Sequence, residues 1–205
     1  MSILGKLFGG SRPSVNSVTF DVSGYLDQGE KNDGHVWFLP EGGGVALNFF
    51  RHPDLPEGLE NLKKVKDFYS ARLTEKQKVV DFRTLPLDGM TGTWMIIGQR
   101  RDGGHGMFYL GTLSILFRDY TFVIMVRCDE EGITGMRETT ISLLANLDEK
   151  YAGRAFSPYD EEFDSKVPGH PLSRVRTELN RIVNSLHIDS KVKELPKFNL
   201  PIIES

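Results

Sequence analysis

The sequence predicts an α+β protein: a central antiparallel sheet of about six to seven strands between helical layers, with a C-terminal helical extension. The first observation is the stretch from residue 91 to 147, where three apolar runs are joined by short connections and followed by helical spacing. The second is that these runs are apolar on both faces, since Trp94 and Ile96 alternate with Met95 and Ile97. Such strands must be covered on both faces, which indicates α/β/α layers.

Composition narrows the class of protein. The chain has 205 residues, 39% hydrophobic and 26% charged, which is typical of a globular protein. A net charge of -3 and a pI near 6.0 argue against nucleic-acid binding, because that binding uses many cations to neutralise phosphates. No stretch reaches about 18 consecutive apolar residues, so no integral membrane segment is expected. Cys128 is the only cysteine and lies in an apolar run, which indicates a buried thiol and a cytoplasmic protein.

Three regions follow one another along the chain. Residues 1–14 are expected to form a flexible N-terminal lead, since a short apolar segment is broken by Lys6 and followed by glycines. Residues 15–147 are expected to form the sheet with its helices. Residues 148–205 are expected to form an acidic wrap, a helix and an extended tail, all packed on the same domain.

The N-terminal part of the sheet is predicted from period-two alternation. Strands are predicted at residues 15–22, 35–39 and 45–50. Residues 23–34 are rich in Gly, Asp and Asn, which favours a surface loop. The three glycines from Gly42 to Gly44 do not indicate a phosphate loop, because a strand follows where that loop requires a helix.

The central part alternates between helix and strand signals. Apolar residues opposite lysines predict an amphipathic helix at residues 59–73. Strands are then predicted at residues 78–87, 93–99, 107–117 and 120–128. The polar, glycine-rich residues 100–106 and the dipeptide Arg118-Asp119 predict tight connections between the last three strands.

Two further helices are predicted after the sheet. The first uses an apolar stripe for packing: Ile133, Met136, Thr140, Leu144 and Leu147. The acidic residues 129–131 favour the positive end of this helix's dipole. Residues 148–169 are acidic but carry aromatics that offer apolar area for docking. The second helix spans residues 171–186, with Pro171 in its first turn, and the tail from residue 187 to 205 is predicted to be extended.

This order of elements resembles the PsbP-like fold family, which includes photosystem oxygen-evolving-complex subunits, the Ran-binding protein Mog and bacterial DcrB-like proteins. The resemblance rests on Trp37 with Val45-Ala46-Leu47, on the strands at 91–99 and 120–126, and on residues 132–147 with their Gly-x-x-Gly-x-Arg-Glu opening. It covers about residues 15–147. It implies an antiparallel sheet between helices and an accessory or binding role without catalysis.

The sequence contains no recognisable catalytic motif. There is no nucleophile elbow, Walker loop or dinucleotide fingerprint, so no cofactor is expected. The five histidines are scattered, and none has the spacing of a zinc ligand, so no metal is expected. Arg100, Arg101 and His105 lie on the hairpin loop, where they could bind an anion or keep the loop soluble.

The function best supported by the sequence is that of a non-enzymatic binding or accessory protein, in particular a chaperone or adaptor for another bacterial protein. A protein partner is expected, and the alternative is that the protein forms a homodimer. Besides the hairpin-loop residues, the candidate binding residues are Tyr159, Phe163, His170 and Phe198. On this hypothesis, deletion of residues 188–205 leaves folding intact and weakens a partner contact.

The alternative is a small, hydrolase-like enzyme with a site near residues 100–106 and the His170 loop. An enzyme should have a deep pocket with converging side chains of shifted pKa, and a binding protein should have a broad apolar surface.

Overall fold

The computed structural model describes residues 13–51, 62–103, 106–131, 135–151 and 154–197. The strands are β1 Val18–Thr19, β2 Leu26–Lys31, β3 Gly34–Phe38, β4 Gly44–Arg51, β5 Gln77–Leu87, β6 Met90–Arg100, β7 Met107–Leu116, β8 Tyr120–Asp129 and β9 His187–Ile188. The α-helices are α1 Leu62–Ser70, α2 Met136–Leu147, α3 Pro171–Ser185 and α4 Ser190–Lys193. Short 3-10 helices occupy Val15–Ser17, Glu149–Tyr151 and Glu161–Lys166.

The prediction of an α+β fold with a central antiparallel sheet is confirmed. Seven strands pair in the order β2-β3-β4-β8-β7-β6-β5, and every neighbouring pair is antiparallel. The long-range pairing of β4 with β8 joins the N-terminal hairpin to the meander, with Leu47 opposite Ile124. A second sheet of two strands pairs β1 with β9, so that Val18 lies opposite Ile188.

Helix α3 covers one face of the sheet. Its apolar stripe is fully buried, as the helical spacing predicts: Leu172, Val175, Leu179 and Ile182. The helix lies against β7 at Gly111, where an added Cβ would be 2.5 Å from Leu179 and 2.6 Å from Val175. A glycine at this position therefore permits the close approach of helix and sheet.

Helix α1 lies on the opposite face. The ring of Tyr69 is 6.2 Å from that of Phe82 on β5, and its hydroxyl lies beside the side chains of Thr93 and Ser114. Thr93 and Ser114 are paired neighbours on β6 and β7. Helix α1 therefore covers the β5–β7 side of this face, which completes the α/β/α layers.

Helix α2 does not bury the stripe that its sequence predicts. Met136 is 53% exposed and Leu147 is 76% exposed, whereas Arg137, Ile141 and Ala145 face inward. The prediction for Met136, Leu144 and Leu147 is therefore wrong, and Ile133 lies outside the described residues. The side of α2 that packs is fixed by the hydrogen-bonding partners of Arg137, which lie in the chain that follows the helix.

The acidic segment after α2 packs through its aromatic side chains. Tyr151, Phe156 and Phe163 form a cluster of rings with centroids 5.3 to 5.9 Å apart, and this cluster packs with Ile141 and Ala145 of α2. The segment therefore has an apolar core of its own despite its acidic composition.

Three further predictions of local structure are corrected. Residues 26–31, predicted as loop, form β2. Their polar composition gives no strand signal, but their backbone pairs with that of β3. The predicted strand at 15–22 shortens to β1, which follows a 3-10 turn. The C-terminal segment is not simply extended: β9 and α4 bury Ile188 and Val192 in the core. Deleting residues 188–205 would therefore remove core side chains, contrary to the sequence-based expectation.

No helix within the described ranges is long and apolar enough to cross a bilayer.

Candidate functional site

The hairpin-loop residues are held mostly by surface contacts. Arg101 forms an ion pair with Asp129 at the end of β8, with an Nη2–Oδ1 distance of 3.1 Å. Arg100 is exposed at the end of β6. His105 lies outside the described residues, as does Phe198 in the C-terminal segment. The described part of this loop supplies no convergent group of cations.

The two predicted aromatic residues differ in accessibility. Phe163 is almost completely buried within the ring cluster, so it is a core residue and not a surface contact. Tyr159 is half-buried. Its hydroxyl donates to Glu138 Oε1 at 2.7 Å, and Lys78 Nζ lies 3.9 Å from its ring centre. Burial, together with the Glu138 hydrogen bond, raises the pKa of Tyr159 to about 12.

A buried polar network lies beneath Tyr159. Arg137 donates to the carbonyl oxygens of Pro158 and Asp160 and to the side chains of Ser173 and Asp164. Arg176 of α3 also reaches both carboxylate oxygens of Asp164, at 3.2 Å. A buried arginine with satisfied donors fixes the position of the chain around it. This network therefore fastens α2, the acidic segment and α3 to one another.

A cleft next to this network contains His170. It has a volume of about 340 Å³ and lies between the end of β8, the start of α2 and the start of α3. His170 is the N-cap of α3, and its Nδ1 accepts the backbone N–H of Leu172 at 3.1 Å. Its ring packs edge-on against Tyr109 of β7, with centroids 5.4 Å apart. Helix capping thus occupies Nδ1 and leaves the other ring nitrogen, Nε2, free of the cap, in a residue that lines the cleft.

Glu130 lies next to His170 in the lining of this cleft. Glu130 Oε2 accepts the backbone N–H of Met107 at 3.0 Å, and the Glu130 N–H donates to the Met107 carbonyl at 2.8 Å. The remaining oxygen, Oε1, is 3.9 Å from His170 Nε2, and both side chains are only 7% exposed. That distance is too long for a hydrogen bond. His170 Nε2 is completely buried and has no hydrogen-bond partner among the described residues.

The capping bond fixes the protonation of His170. Because Nδ1 accepts a hydrogen bond, the neutral ring must carry its proton on Nε2. Burial, assisted by the positive charge of Arg137, lowers the pKa of His170 to about 4. At neutral pH, Nε2 is therefore a hydrogen-bond donor and cannot accept a proton. The cleft has an orphaned donor opposite an available carboxylate oxygen.

The sequence interpretation named His170 but missed Glu130. In the sequence, Glu130 belongs to an acidic cluster at the start of a predicted helix. A usable signal was present, because the alternation of inward residues from Tyr120 through Cys128 reaches Glu130 when it is extended by one step. Arg137 was missed for a different reason: its burial depends on partners that only the folded chain supplies. Among the described residues, no group of three His, Cys, Asp or Glu side chains could hold a metal ion.

The second candidate surface is the part of the sheet that α1 leaves open. Leu26, Phe38 and Phe50 are 60%, 50% and 51% exposed. Leu26 pairs with Phe38 across β2 and β3, and Phe50 shares its side of β4 with Ala46 by alternation. Beside Phe38 is a shallow depression of about 420 Å³ with a mainly apolar lining, which includes Val36, Ala46 and Met125. We call this surface, from Leu26 and Phe38 to Phe50, the open sheet face.

Comparison with known proteins yields a distant structural likeness. No protein-family profile matches the sequence, and a search of curated proteins gives no match. The solution structure of cyanobacterial PsbP (CyanoP) from Synechocystis sp. PCC 6803 aligns over 87% of this chain and 90% of its own, with 8% sequence identity and a TM-score of 0.45. At this distance, the likeness carries no inference about ligands or partners.

Proposed function

We propose that this protein is a non-enzymatic binding protein that holds an extended apolar segment of another protein on the open sheet face, as a chaperone or adaptor does. The observation that carries the proposal is the exposure of Leu26, Phe38 and Phe50 on one side of the sheet, whose other side packs into the core at Trp37 and Leu47. Large apolar side chains grouped on one surface are typical of interaction sites. Full burial of one such side chain stabilises a complex by about 1.5–3 kcal/mol.

The dimensions of the open sheet face favour an extended segment. Gly44, the partner of Phe38, lies six positions before Phe50 along β4. At about 3.3 Å per residue, the strip is about 20 Å long, the length of an extended segment of about six residues.

A second exposed apolar surface lies on α2, formed by Met136, Leu143 and Leu147. We favour the open sheet face because it is concave beside Phe38, and a concave apolar site can enclose an anchoring side chain. The stripe on α2 lies on the exposed side of a helix, and neither Leu143 nor Leu147 lines the depression beside Phe38 or the His170 cleft. It therefore serves as a matched control.

The enzyme alternative is less well supported by geometry. Its proposed centre, His170, lies in a cleft and has a lowered pKa, and both features are typical of catalytic residues. However, the capping bond leaves Nε2 protonated, so this atom cannot act as a general base. The arrangement favours binding.

The proposal is tested by the aggregation of reduced insulin, whose unfolded B chain is an apolar substrate for chaperones. The wild-type protein should slow the rise in light scattering. The double variant Phe38→Ser/Phe50→Ser should lose most of this effect, and the control Leu143→Ser/Leu147→Ser should retain it. Equal loss in both double variants, or none in the first, would contradict the proposal.

Sedimentation velocity on the same proteins distinguishes a second copy from a different partner. A monomeric wild-type protein that protects insulin supports the proposal. A dimer that dissociates only in Phe38→Ser/Phe50→Ser would overturn it in favour of self-association through the open sheet face.

A further inference from the structure

The cleft between the end of β8 and the start of α3 contains a donor and an acceptor that face each other without bonding. His170 Nε2–H and Glu130 Oε1 are 3.9 Å apart. Both side chains are more than nine-tenths buried, and the donor has no partner within the described parts of the chain. A buried polar group without a partner costs about 1–3 kcal/mol. A group that formed a hydrogen bond with each of the two atoms would remove this cost.

We propose that this cleft binds a small neutral polyol, such as a sugar or sugar alcohol, through one hydroxyl that bridges His170 and Glu130. A hydroxyl can lie about 2.8 Å from both atoms, accepting from Nε2–H and donating to Oε1. This geometry requires one group that is both donor and acceptor.

Charged ligand groups fit the pair less well. An ammonium group can donate to Glu130 but has no lone pair to accept from His170. A carboxylate or phosphate can accept from His170 but is repelled by Glu130 and by the neighbouring Glu131. The cations that line the cleft are already engaged, since Arg137 is paired with Asp164 and Arg174 donates to the Gly42 carbonyl.

The rest of the cleft suits a ligand of this class. Its volume of about 340 Å³ is within the range of small-molecule sites. Met136 and Val167 supply apolar wall for the C–H faces of a polyol, and Thr140 supplies a further hydroxyl. The cleft is separate from the open sheet face. If the polyol proposal proves wrong, the proposed function is therefore unaffected.

The test is a titration followed by NMR of ¹⁵N-histidine-labelled protein. The probes are glycerol, xylitol, D-glucose and myo-inositol, with acetate and methylamine as charged probes of small size. At least one polyol should shift the Nε2 resonance of His170 and saturate, while acetate and methylamine should not. A resonance that none of the four polyols moves means that water alone bridges the pair, which overturns the proposal. Preferential binding of acetate or methylamine overturns it as well.

Two variants test the geometry while preserving its surroundings. His170→Asn keeps a side-chain acceptor for the N-cap of α3 but removes the Nε2–H donor. Glu130→Gln keeps an acceptor for the Met107 N–H and presents a donor to His170. Each should weaken polyol binding about tenfold, the effect of losing one hydrogen bond to a charged or buried group.

For the variants, binding is measured by calorimetry, and Glu149→Gln on the exposed surface is the control. Wild-type affinity in both His170→Asn and Glu130→Gln would contradict the bridging role. If one variant fails to fold, the other together with the wild-type titration decides the question.

Discussion

Arg137 Nη2 lies 2.8 Å from Asp164 Oδ1, and the arginine side chain is completely shielded from solvent. The same guanidinium also binds two backbone carbonyls and the hydroxyl of Ser173. The pair is therefore the point at which α2, the acidic segment and α3 are joined.

Replacing Arg137 by methionine should destabilise the protein strongly. The change leaves buried carbonyls and one side of Asp164 without their donors, and removal of one partner of a buried pair costs about 3–5 kcal/mol. Asp164 keeps Arg176, so we expect the lower end of this range. Urea unfolding measures the difference. The control is Arg154→Met, which removes an exposed ion pair with Glu162 and should change stability by less than about 1 kcal/mol. Similar losses in both variants would mean that the network is not structural.

Gly111→Ala should separate α3 from the sheet. Its Cβ would be 2.5 Å from Leu179 and 2.6 Å from Val175, which is closer than side chains can approach. Such overpacking costs about 1–3 kcal/mol. The control Gly169→Ala adds a Cβ in open space, and we expect a neutral or slightly stabilising effect from the less flexible unfolded chain. Thermal unfolding of the two variants measures the contrast, and an unchanged melting temperature in Gly111→Ala would show that α3 is not packed this closely.

His170 should make stability fall in mild acid. Its pKa is about 4 in the folded protein, against an ordinary value of 6.5, because it is buried and lies near Arg137. Between these two pH values the unfolded chain takes up a proton that the folded protein does not, so the free energy of unfolding decreases as the pH falls through this window. The decrease is on the order of 3 kcal/mol.

Carboxylates also surround the ring, including Glu130, Glu138 and Asp164, and their charges act on it. The His170 contribution is therefore obtained from the difference between the wild-type protein and His170→Asn, measured by urea unfolding at a series of pH values. The wild-type protein should lose stability relative to the variant from pH 6.5 to pH 4. Parallel curves would contradict a buried neutral histidine.

Ile188→Ala should show that the C-terminal segment belongs to the core. Ile188 is completely buried and pairs with Val18 across the small sheet. Removing a buried isoleucine side chain to alanine costs about 2–5 kcal/mol. Val22→Ala provides the control, because Val22 is exposed. If the two variants unfold at the same urea concentration, the segment contributes little, and the original expectation for residues 188–205 is restored.

The strands of the meander and helix α3 could be predicted from the sequence because their signals are local. Apolar residues from Tyr120 to Cys128 alternate over the whole length of β8, and the stripe from Leu172 to Ile182 fits one side of a helix. The same patterns predict an antiparallel sheet that needs cover on both faces. They cannot predict how far that cover extends, since the extent depends on where α1 comes to lie.

The candidate sites depend on such long-range placement. Phe38 and Phe50 become a shared surface because α1 packs over the β5–β7 side of the sheet. The composition of α2 favours burial of its leucines, but the buried partners of Arg137 and the packing of the aromatic cluster turn the opposite side inward.

The sequence alone determined the α+β class, most strands and the third helix, because periodicity records which side of each element meets apolar surroundings. Tertiary structure alone decided that His170 meets Glu130. One residue caps α3 and the other ends β8, so their separation of 3.9 Å is set by the docking of that helix on the sheet. The position of the helix on the sheet depends on contacts between elements far apart in the sequence, so no local pattern predicts it.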